Sequence, residues 1–77
     1  MLLETGMKVA TKTEKMSYYK EAIIPKGPVG EVMAVRVPVV RNTNGHLYFN
    51  CVDFTINGKK VRGAYYGGEL TKNLEVE

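Results

Sequence analysis

Cys51 and His46 each occur once in this chain. With Tyr18 and a scatter of carboxylates they make up its stock of candidate nucleophiles and bases. Catalysis needs such groups paired and held in a pocket. Cys51 follows His46 by five positions on one predicted strand, so the two side chains project to opposite faces and form no dyad. One cysteine makes no internal disulfide, and one cysteine with one histidine cannot complete a tetrahedral zinc site. The expectation is a chain that is not an enzyme, with no cofactor and no metal.

The informative excess is aromatic. Five tyrosines occur in 77 residues, as Tyr18-Tyr19, Tyr48 and Tyr65-Tyr66. Exposed tyrosine loses little entropy when immobilised and suits protein interfaces. Adjacent tyrosines on a strand face opposite ways, so one of Tyr65 and Tyr66 is expected in the core and the other outside. Lys12, Lys15, Lys20, Arg41 and Arg62 lie in or beside the same segments, and rings with cations also suit stacked bases and phosphates. The partner-binding set is therefore Lys15, Tyr18, Tyr19, Lys20, Arg62, Tyr65 and Tyr66. A protein partner is the first expectation and nucleic acid the alternative, with self-association left open. The competing account of Tyr18 and Tyr19 is that they fold back over an open barrel end.

Eleven Lys and Arg against eight Asp and Glu leave a net charge of +3. This charge is spread along the chain, with Lys59-Lys60 as its longest basic run, which is mild for a nucleic-acid footprint. Glu4 interrupts the apolar Met1-Leu2-Leu3, so no signal peptide or membrane span is read, and a cytoplasmic setting is expected.

A chain of 77 residues must build its core from nearly every apolar side chain it has. Met7 to Lys12 alternates as a first strand, with residues 1–6 expected as a loose leading segment and 7–77 as one domain. Lys15 to Ile24 meets Pro25 and Gly27-Pro28 before a helix could grow, and reads as a long loop with short strand character at Ala22 to Ile24. Val29 to Val40 is a valine-rich strand whose alternation slips at Ala34-Val35, the mark of a β-bulge. Pro38 belongs at its end.

Arg41 to Gly45 is a turn. His46 to Ile56 is a strand with Val52, Phe54 and Ile56 on one face. Asn57-Gly58 is a two-residue hairpin leading into Lys60 to Tyr66. Gly67 to Leu70 reads as a single tight turn before the closing strand Leu74 to Glu77. About five short antiparallel strands and no amphipathic helix predict an all-β fold, a small, partly open barrel enclosing Val9, Val32, Val52, Phe54, Val61, Leu70 and Val76.

The order of a first strand, a long loop and Ile24-Pro25-Lys26-Gly27-Pro28-Val29-Gly30-Glu31-Val32 resembles the SH3-like barrels. Lys26-Gly27 followed by Gly30 and Val32 is similar to the turn of KOW-type modules. Gly30-Glu31-Val32, Val52-Asp53-Phe54 and Glu69-Leu70 before Leu74-Glu75-Val76 resemble the electron-transport accessory barrels, namely the small photosystem I subunit of this fold and the variable subunit of ferredoxin–thioredoxin reductase. That resemblance implies a barrel that does no chemistry and packs on a larger subunit. The valine-rich Val35 to Val40 and the Asn42-Thr43-Asn44-Gly45 turn depart from that pattern. The expected face for a partner is the loop Lys15 to Lys26 with the outward tyrosine of the Tyr65-Tyr66 pair.

Overall fold

A computed structural model of the chain describes residues 2–39 and 48–77. The expected turn Arg41 to Gly45, together with His46, lies outside the described residues. Five strands form one antiparallel sheet: β1 (Lys8–Thr11), β4 (Val29–Pro38), β5 (Tyr48–Ile56), β6 (Lys59–Tyr66) and β7 (Leu74–Val76). Their spatial order is β6-β5-β4-β1-β7. Two further strands, β2 (Lys15–Met16) and β3 (Ile23–Ile24), pair with each other as a separate hairpin. Among the described residues the sheet does not close on itself, so the fold is a small, partly open all-β domain.

The alternation in β5 is the frame of the core. Val52 and Phe54 point inward and are 0% and 1% exposed, joined by Val9, Val32, Ile24, Leu70 and Leu74 from the other elements. Phe54 lies against Gly30 of β4, where an added Cβ would sit 2.6 Å from the Phe54 ring and 2.7 Å from the Asp53 carbonyl oxygen. Gly30 is therefore a packing requirement. The β5–β6 turn is the two-residue hairpin read from Asn57-Gly58, with φ of 51° and 80° at those residues. Both angles are in the left-handed region, as a type I′ turn demands.

In β4 the expected slip is present, but as two. Pairing with β5 shifts once between Val32 and Ala34 and again between Ala34 and Val37. Arg36, at φ 51°, occupies the second irregularity. Its backbone N–H donates to Asn50 Oδ1 at 3.1 Å, and Asn50 Nδ2 donates across to the Tyr65 carbonyl at 3.1 Å. One buried amide thus ties the bulged strand to β6, supplying partners that a bulge would otherwise leave unmet.

Three expectations are corrected. The Lys15 to Ile24 segment has the expected strand character near its end, as β3, but β2 pairs with it, so the segment is a hairpin rather than a loop. Gly67 to Leu70 is not a single turn: a 3-10 turn at Gly67–Glu69 runs into a one-turn helix, α1 (Leu70–Asn73), which buries Leu70 and Asn73. Val76 is 46% exposed rather than enclosed, because β7 is a three-residue edge strand and Val76 lies toward its outer end. In the leading segment Leu3 is 1% exposed, its carbonyl accepting from Arg36 Nη1, and Gly6 N–H donates to the Val32 carbonyl at 2.8 Å, while the side chains of Leu2, Glu4 and Thr5 are exposed. No helix among the described residues is long and apolar enough to cross a membrane.

Candidate interaction face

Ser17 builds the tip that carries Tyr18, Tyr19 and Lys20. Its hydroxyl accepts from the backbone N–H groups of Glu21 and Ala22 at 3.1 and 3.2 Å. Its own N–H donates to the Ala22 carbonyl, and its carbonyl accepts from Lys20 N–H. Lys20 takes φ 61° to close the turn. A side-chain oxygen that replaces backbone partners is a recurring way of making a turn without glycine.

The hairpin is anchored at three points. At its base Thr11 Oγ1 donates to the Pro25 carbonyl and accepts from Gly27 N–H, both at 2.7 Å. Inside, Ile24 is fully buried. At the tip Tyr18 N–H donates to the Arg62 carbonyl of β6 at 2.7 Å.

This anchoring lays the hairpin tip beside the outer face of β5 and β6. The Tyr18 ring stacks on Phe49 at 5.8 Å and meets Tyr19 edge-on at 4.9 Å, while Phe49 meets Tyr66 at 6.3 Å. Tyr19 is 72% exposed and Tyr18 45%, with Met16 at 48% beside them. The cluster presents exposed rings on a built scaffold, the arrangement that docking surfaces use.

Lys15, Tyr18, Tyr19, Lys20, Arg62 and Tyr66 are brought together around the tip, and Tyr65 is not. Tyr65 is the core member of its pair, 0% exposed. It therefore drops out of any contact surface, and Tyr66 is the outward tyrosine. Burial pushes the Tyr65 hydroxyl up to about 12, and among the described residues that hydroxyl has no hydrogen-bond partner. The Lys15 ammonium lies 5.5 Å from the Tyr65 ring centre and 5.8 Å from that of Tyr66, and 3.9 Å from Glu69 Oε2. A cation over two rings with a carboxylate nearby is a stabilising arrangement.

Arg62 forms a two-pronged pair with Asp53, Nε to Oδ1 at 2.8 Å and Nη2 to Oδ2 at 3.2 Å. Hydrogen bonding to Asp53 raises the guanidinium above its ordinary value. Cys51 is buried, and burial raises its thiol despite the neighbouring Arg62. That is an unreactive setting, since the thiolate is the nucleophilic form. Among the described residues no group of three His, Cys, Asp or Glu could hold a metal ion.

Sequence reasoning missed Phe49 and Ser17. Phe49 belongs to the outward set of β5, because the alternation that sends Val52 and Phe54 inward sends Phe49 out, and that signal was readable. Ser17 had the local signature of a side-chain-closed turn. No protein-family model, curated protein or solved structure matches the chain.

Proposed function

We propose that the chain is a non-catalytic SH3-like barrel acting as a protein-docking accessory module on a larger partner, with the face around Tyr18, Tyr19, Lys20 and Tyr66 as its contact surface. The observation that supports this reading most is the construction of the hairpin tip. Ser17 and the Tyr18–Arg62 backbone bond hold the turn, and the Tyr19 side chain, in edge contact with the Tyr18 ring, remains 72% exposed. A large ring held out on a rigid turn is poised for contact at small entropic cost. The lone buried cysteine fits a reducing, cytoplasmic setting.

Nucleic acid is the competing partner, and the charges argue against it. A phosphate track needs a run of clustered cations, whereas Arg62 is paired with Asp53 and Lys15 with Glu69, which leaves Lys20 and Lys60 as the cations of this face without a carboxylate at ion-pair distance among the described residues. Replacing Tyr19 and Lys20 together with Ser, while following melting temperature and capture of partners, tests the reading. Lost capture at unchanged stability is the expected result. Lost stability with capture retained by the folded fraction would mean that the rings serve packing. Capture that collapses steeply between low and moderate salt would instead favour phosphate recognition.

A further inference from the structure

The docking reading does not say what the partner brings, but the charges around the tip do. Two depressions flank Tyr18-Tyr19-Lys20. One, of about 250 Å³, has Lys15, Met16, Lys20 and Tyr66 in its walls. The other, of about 210 Å³, is lined by Tyr19, Glu21, Lys60, Arg62 and Asp53.

The Arg62–Asp53 pair shows its two charges unequally to solvent. The Asp53 side chain is 8% exposed and that of Arg62 41%, so the surface sees mainly the cation. Lys20 and Lys60 have no carboxylate within ion-pair distance among the described residues. Glu21 is the exposed acid in these walls that has no ion-pair partner. The walls of the two depressions together hold four cations, Lys15, Lys20, Lys60 and Arg62, against two acids, Glu21 and Asp53; the excess lies on the Lys15–Lys20 side and is too small to track a phosphate backbone.

We propose that these depressions receive an extended, acidic segment of a partner protein, with carboxylates at Lys20 and at Lys60, and an apolar side chain laid against Tyr18, Tyr66 and Met16. The inference rests on the docking reading and adds the chemistry of the occupant. Alternating charged and apolar anchors on a short extended segment match rings interleaved with cations, and charge complementarity selects the sign.

The test exposes the full chain to a positional-scanning library of acetylated decapeptides at low and moderate salt, and reads which residues are selected. Enrichment of Asp and Glu flanking an aliphatic or aromatic position is expected. Lys20→Glu should weaken the selected peptides roughly tenfold and shift selection toward Lys and Arg. Lys59→Glu makes the same change in net charge outside both depressions and should leave selection as it was. Melting temperature and amide spectra check each variant, with Lys20→Gln as the milder substitute should the reversal disturb the turn.

Selection of peptides without acidic preference, or with equal response to Lys59→Glu and Lys20→Glu, overturns the acidic occupant while docking stands. No selection at all counts against both. Displacement of the peptides by oligo(dT) from the same residues, with a steep salt dependence, overturns both in favour of nucleic acid.

Discussion

The β4–β5–β6 sheet and the Lys15–Ile24 hairpin are held by different means. In the sheet, Phe54 fills the space over Gly30 and the β5–β6 ladder runs unbroken from Phe49 opposite Tyr66 to Ile56 opposite Lys59. In the hairpin, one buried isoleucine and a handful of backbone and hydroxyl bonds suffice, and most side chains at the tip face solvent. Where apolar packing sets the structure, side-chain identity is constrained. Where polar bonds to the backbone set it, the side chains can vary with little loss of stability. That division gives a small domain room for a contact surface.

The contrast is tested most harshly by Phe54→Ala. Truncating a fully buried phenylalanine costs about 3 to 5 kcal/mol, enough to unfold much of a domain this size, and loss of the cooperative thermal transition is the expected result. An unchanged melting temperature would mean that the sheet does not depend on its centre.

Gly30→Ala comes next, because its new methyl group meets both the Phe54 ring and the Asp53 backbone. Overpacking of this sort costs about 1 to 3 kcal/mol. Gly67→Ala makes an informative partner. Its Cβ would lie 2.6 Å from the Tyr48 ring, but Tyr48 is 38% exposed and can swing away. Denaturant midpoints should rank Gly30→Ala well below Gly67→Ala, and the reverse order would place the rigid packing elsewhere.

Tyr65→Phe is expected to be neutral or stabilising by about 1 kcal/mol, since it removes a buried hydroxyl that has no partner and keeps the ring. Its alkaline behaviour is more diagnostic. Below pH 10 the hydroxyl is protonated in folded and unfolded chains alike. Between pH 10 and about 12 the unfolded chain loses that proton while the folded one keeps it, so stability falls by about 1.4 kcal/mol per pH unit. Urea melts of both proteins across that window should diverge, with Tyr65→Phe flatter; parallel curves would place the hydroxyl in water.

The smallest effect on stability is expected at the tip, where Tyr19→Ser alone should shift unfolding by no more than about 0.5 kcal/mol. A larger loss would make the hairpin rings part of the core and dissolve the distinction between the two regions.

The sheet was legible because its signals are local and periodic. Val52 and Phe54 alternate with polar neighbours, Asn57-Gly58 has the chemistry of a tight turn, and Pro38 ends β4 as a residue without an N–H must. The hairpin was legible as a long loop with strand character at Ala22 to Ile24 but not as a paired unit, because its closure depends on Ser17 Oγ and on a backbone bond from Tyr18 to β6. Leu3 was missed for the same reason: a short leading segment has no period, and its burial follows from Gly6 and Arg36 holding it to β4. In the proposed contact face, the tyrosine pairs showed themselves by composition. Which of Tyr65 and Tyr66 faced outward followed from the register with β5.

The bond from Tyr18 N–H to the Arg62 carbonyl also bears on how the molecule stays apart from its own kind. β6 is an outer strand of the sheet, and an outer strand with vacant carbonyls is a template on which other chains can grow. The hairpin takes up one of those carbonyls, that of Arg62. Any event that lifts the tip away, whether a partner that pulls on it or a substitution that removes the Ser17 hydroxyl, would free that carbonyl for another chain at the same moment as it rearranges the proposed contact face.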